Sequence, residues 1–140
     1  RNTFYSFVKK GFIVEKITRY LKPEREPFPC QLYELEVSEQ VYQQLKEHLT
    51  WFEERKALFR YTKLGVVMCL FRIPFRRKYH YFCSQFVAEA LMKCKAAQLR
   101  KDSSLYLPKD FYHLPELRLH FQGDLHSLVH QFIHPPTVVC

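Results

Sequence analysis

The sequence predicts a single α+β domain, and three observations lead there. Aromatic-rich segments alternate with a period of two near 2–8, 30–37 and 116–125. Longer segments over 39–57 and 83–98 instead repeat apolar residues at helical spacing. The strands alternate too seldom with helices for a doubly wound parallel sheet. With 140 residues, 47% of them hydrophobic, the chain suffices for one packed core and not for two, so the domain spans 1–140.

The elements follow in order. "NTFYSFV" (2–8) reads as a half-buried strand. "KGFIVEKITRYLK" sets Phe12, Ile13, Ile17, Tyr20 and Leu21 at helical spacing, which predicts a helix. Three prolines make "PEREPFP" (23–29) a loop. "CQLYELEV" (30–37) alternates as a strand. Ser38 is then an N-cap with Glu39 in the first turn, and Val41, Leu45, Leu49 and Phe52 form the buried stripe of a helix over 39–57. "YTKLGVVMCLF" (61–71) reads as a short helix. A basic connection over 72–80 leads to a helix over 83–98. Pro108 starts a helical turn within the loop "SSLYLPKDFYHLP", and "ELRLHFQGDL" (116–125) is a strand ended by Gly123. "LHSLVHQFIH" is helical until Pro135 and Pro136 stop it.

Composition removes several function classes. Three glycines are too few for a collagenous or linker chain, and no apolar run approaches the ~18 residues of a membrane span. The five cysteines are widely spaced without a CxxC pair, so neither a zinc ribbon nor a thioredoxin motif is encoded. They read as reduced thiols of a cytoplasmic protein. The net charge is +8, and "RIPFRRK" (72–78) concentrates four positive charges, Arg72, Arg76, Arg77 and Lys78. Such a run is a solvated loop or a surface for an anionic partner, and no nucleic-acid motif accompanies it.

The segment "YHYFCSQFVAEAL" (79–91) places Cys83 where a strand-like run becomes a helix. Cys83, Phe86, Val87, Ala90, Leu91 and Cys94 recur as one apolar stripe, which reads Cys83 as a small core residue. Its place in the first turn reads otherwise. Free N–H groups and the helix dipole there stabilise a thiolate and an adjacent oxyanion. Cys94, three turns on, has neither advantage and belongs to the core.

"YHYFCSQFVAEAL" resembles the nucleophile segment of circularly permuted papain-like proteins of the NlpC and YiiX type, in an uncharacterised bacterial branch with an FCSxFV-type motif. "FYSF" (4–7), "GFIVEKI" (11–17), "CQLYELEVSEQVYQQL" (30–45), "RYTKLGVV" (60–67) and "FQGDL" (121–125) continue the resemblance over 2–126. It implies a permuted papain-like fold, with an antiparallel sheet packed against the helix that carries Cys83. It also implies a cysteine-dependent amidase, peptidase or acyltransferase without a cofactor, acting on an amide or ester of a peptide, peptidoglycan peptide or lipid. Cys83 would form the thioester, and the N–H groups of Cys83 and Ser84 would hold the oxyanion. The family's base histidine is expected on a strand upstream of residue 1, because no histidine precedes His48. Within the chain His80 is the candidate base, although an exposed loop histidine is the competing reading. Glu15 is the candidate third polar member, against a solvent-facing helix residue. "YSFVKK" also lacks the glycine expected after the phenylalanine. The alternative is an inactive scaffold that binds an anionic partner through 72–78.

The other histidines carry less. His126, His130 and His134 recur at i, i+4, i+8, but one helix cannot easily give three ligands to one ion, so no metal site is assigned. His48 reads as a solvated residue of an amphipathic helix. His113 and His120 flank the late strand.

Overall fold

Thr3–Val8 (β1) and Gly11–Lys16 (β2) form an antiparallel hairpin in which Val8 faces Gly11 and only Lys9 and Lys10 make the turn. They belong to a computed structural model that describes residues 3–16 and 29–128. The proline loop over 23–28 and the later part of the last expected helix lie outside these residues. The helix expected from "KGFIVEKITRYLK" is corrected to a strand over its described part. The β-branched pair Ile13–Val14 suits a pleat, and Phe12 lies directly opposite Phe7, with both rings buried. Gly11 has φ +102°, and a Cβ there would stand 2.8 Å from the Phe59 carbonyl oxygen.

Pro29–Leu35 (β3) pairs antiparallel with Leu117–Asp124 (β6), with a register shift between Leu32 and Tyr33. Arg60–Tyr61 (β4) and His80–Tyr81 (β5) make a parallel pair of two residues each. The described strands thus form three two-stranded ladders, where one antiparallel sheet was expected. The mixed α+β character stands.

Glu39–Glu54 (α1) starts where Ser38 Oγ accepts the Val41 N–H at 3.2 Å. It stops short of 57, because a 3₁₀ turn, Lys56–Leu58, takes over. Lys63–Leu70 (α2) is capped by Thr62, whose Oγ1 accepts the Gly65 N–H at 3.0 Å. Cys83–Lys93 (α3) ends earlier than 98, since Lys95 turns left-handed at φ 57° and Ala96 N–H bonds back to Leu91 O. Further 3₁₀ turns cover Ser103–Leu105 and Pro108–His113 before β6.

The core is aromatic. Phe7, Phe12, Phe52, Phe59 and Phe86 are buried together, with Tyr5, Val14, Leu49, Tyr61, Tyr79 and Tyr81 packed around them. Phe52 stacks on Phe59 at 4.4 Å and meets Phe86 edge-on at 5.0 Å. Hairpin, α1 and α3 are therefore fastened to one another through rings, and β5 joins through Tyr81, 5.5 Å from Phe7.

Candidate functional site around Cys83

The chain enters α3 under tight control. Arg60 N–H bonds to Tyr79 O and Thr62 N–H to Tyr81 O, which holds β5 beside β4. Phe82, only 2% exposed, is the N-cap residue, and its N–H donates to Gln85 Oε1 at 3.3 Å. Tyr81 Oη–H donates to Glu89 Oε1 at 3.1 Å, and Lys93 Nζ lies 2.7 Å from the same oxygen.

Within this frame Cys83 is exposed. The expected stripe is corrected accordingly: Cys83 and Val87 lie outside, while Ser84, Gln85, Phe86, Ala88, Glu89 and Ala90 are buried. The polar members can turn inward because Gln85 bonds to the N-cap backbone and Glu89 to Tyr81 and Lys93. Cys94 is buried, in line with its reading as core. Of the four described cysteines only Cys83 is exposed, and burial raises the pKa of Cys30, Cys69 and Cys94.

α3 also differs from its neighbours at its start. Ser38 and Thr62 cap α1 and α2, whereas Phe82 offers no acceptor to the first turn of α3. The leading N–H groups of a helix have no intrahelical partner. Those of Cys83 and Ser84 therefore form a positively polarised end beside the exposed thiol.

No hydrogen bond joins Cys83 to the candidate partners His80 and Glu15. Cys83 has no hydrogen-bond partner among the described residues, and neither it nor His80 bonds to Glu15. His80 is a half-buried residue of β5 rather than an exposed loop residue. Its Nδ1 lies 2.8 Å from Lys78 O. A carbonyl only accepts, so Nδ1 carries a hydrogen, and in the neutral ring the lone pair is on Nε2. Glu15 is half-buried on β2 opposite Phe4, not on a helix.

His48 is the residue that sequence reasoning missed. It is half-buried rather than solvated, its ring 4.9 Å from Phe52 and its Nε2 shielded without a hydrogen-bond partner. Burial pushes its pKa down, Lys93 adds to this, and Glu89 opposes it. The i, i+4 pair Glu89–Lys93 was the available signal for a polar cluster here. His120 sits on β6 with Nδ1 3.4 Å from Glu34, and His113 closes an exposed 3₁₀ turn. His130 and His134 lie outside the described residues, and no group of three metal-binding side chains occurs among those described.

The basic connection is not simply a solvated loop. Arg76 makes a two-pronged contact with Asp102, Nη2 to Oδ2 at 2.6 Å and Nε to Oδ1 at 3.1 Å. No helix of the described residues is long and apolar enough to cross a membrane. Comparison with protein-family models, with curated proteins and with solved structures finds no match to this chain.

Proposed function

We propose that Cys83 is the nucleophile of a cysteine-dependent acyl-transfer reaction, of amidase, peptidase or acyltransferase type. The observation that supports it most is an exposed thiol in a first helical turn to which the N-cap side chain offers no acceptor, among described cysteines that are otherwise wholly or partly buried. The Cys83 sulfur attacks the acyl carbon as thiolate, an S–C bond forms, and the carbonyl π pair moves onto oxygen. The Cys83 and Ser84 N–H groups face that oxyanion. When it collapses, the leaving amine or alcohol departs with its bonding pair and takes a proton. Water or a second nucleophile then cleaves the thioester. His80 Nε2, on the described imidazole nearest to Cys83 in sequence, takes and returns that proton.

An activated ester tests this without a natural substrate. Incubation with p-nitrophenyl acetate is expected to leave an acetyl group on Cys83, seen by peptide mass spectrometry and removed by hydroxylamine. Cys83→Ser should lack the adduct and lose the associated p-nitrophenol burst, and His80→Ala should slow acylation. Acetylation spread evenly over the cysteines, or a burst unchanged in Cys83→Ser, would overturn the assignment.

A further inference from the structure

The positive charge of this chain has one address. Residues 55–88 hold eight basic and no acidic side chains, which leaves fourteen of each elsewhere. The same stretch contains α2, whose sequence KLGVVMCL is apolar on every side after its first residue. A helix apolar all round is ordinarily enclosed. Here Gly65 and Cys69 are buried, while Leu64, Val67 and Leu70 on other faces are 55%, 46% and 63% exposed.

The exposed row continues past the helix. Phe71, 72% exposed, follows Leu64 and Val67 at i+7 and i+4, and Ile73 is 45% exposed. Arg72 is left-handed at φ 58°, with its N–H on Cys69 O and the Ile73 N–H on Met68 O, so a bonded turn displays these side chains. Arg76, tied to Asp102, anchors the segment that follows. Lys63, Arg72 and Arg77 form no ion pair among the described residues.

We infer that α2 and the turn after it dock on an anionic lipid bilayer. The most exposed apolar side chains, Leu70 and Phe71, sit at a helix end rather than in a groove, and cations stand at both ends of the apolar row. The core of a protein–protein interface is depleted of such charge. At a membrane surface the apolar tips enter the acyl boundary and the basic heads stay among phosphates. Docking on the surface is compatible with the absence of a spanning helix among the described residues, and it does not depend on the role of Cys83.

Vesicle co-sedimentation of the full chain tests it, with phosphatidylcholine alone and with added phosphatidylserine. Binding should require phosphatidylserine, weaken between low salt and about 0.15 M salt, and persist in Cys83→Ser. Leu70→Ser with Phe71→Ser leaves the charge unchanged and should lower binding about tenfold or more. Phe71→Trp gives an independent readout, since its emission above the Trp51 background should be quenched by brominated lipid. Failure to bind phosphatidylserine vesicles overturns the proposal. So does equal binding by the double serine variant, or added emission in Phe71→Trp that brominated lipid leaves unquenched. A dimer in sedimentation equilibrium that the serine pair dissociates would assign the face to a second copy and overturn it as well.

Discussion

The hydroxyl of Tyr81 donates to Glu89 Oε1 across 3.1 Å, bracing β5 to α3 on either side of Cys83. Glu89 is 5% exposed, so this bond and the Lys93 ammonium are what make its burial tolerable. Tyr81→Phe should cost about 1–3 kcal/mol in urea unfolding, the usual range for a buried acceptor that loses a donor. Burial raises the Tyr81 pKa above its ordinary 10.0, and the charge and hydrogen bond of Glu89 act in the same direction. The folded chain keeps a proton that the unfolded chain gives up above pH 10, so stability should fall as pH climbs past that value. A parent and a Tyr81→Phe variant with identical alkaline profiles would contradict this.

His48 should give the chain an acid-side dependence of opposite sign. Its pKa lies below the ordinary 6.5, so at lower pH the unfolded state binds the proton first. Stability is full above 6.5 and declines as pH falls through that value toward the folded pKa. His48→Leu should flatten the decline between about pH 8 and pH 5, measured as the shift in urea midpoint. An unchanged slope would move its origin elsewhere.

Gly11→Ala should destabilise by at least about 1–3 kcal/mol, the cost of a left-handed backbone for a residue with a Cβ. The close Phe59 carbonyl adds to it, because backbone cannot yield as a side-chain tip can. Thermal unfolding that loses less than a degree would show that the turn relaxes freely.

Thiol labelling should be uneven. With iodoacetamide at neutral pH, Cys83 should react about tenfold or more faster than Cys69 and Cys94, each 4% exposed, as followed by peptide mass spectrometry. Similar rates at all three would mean that the native chain opens broadly on the labelling timescale.

Much of the fold is legible in the residues. β1, β3 and β6 show period-two alternation, α1 carries its Ser38 cap and its 41/45/49/52 stripe, and α2 falls within the short apolar run. β2 was missed because Phe12, Ile13 and Ile17 also satisfy helical spacing; Gly11, close behind Val8, was the hairpin signal that outweighed it. The position of Cys83 in the first turn of α3 was legible, but its exposure was not. That depends on which way α3 rolls, and the roll follows from Gln85 and Glu89 finding partners inside, one of them on another element. Polar residues that pair across the fold look like surface in a one-dimensional pattern. His48 was misjudged for a similar reason: Phe52 meets its ring within α1, but Glu89 and Lys93, which act on it, lie on α3.

The β3–β6 ladder has a consequence in time. The Glu36–Arg118 ion pair beside it spans 82 positions, whereas the β1–β2 hairpin closes over two residues. A short hairpin forms in about 1–10 μs, while distant strands must first bear the loop-closure entropy of everything between them. The ladder should therefore zip last during refolding, after hairpin, α1 and α3 have gathered on the aromatic rings. Pulsed hydrogen exchange would then protect β1–β2 amides before those of β3 and β6, and the reverse order would refute it. Until that moment both strands present unpaired edges, and at high concentration those edges are where one copy of this chain would meet another.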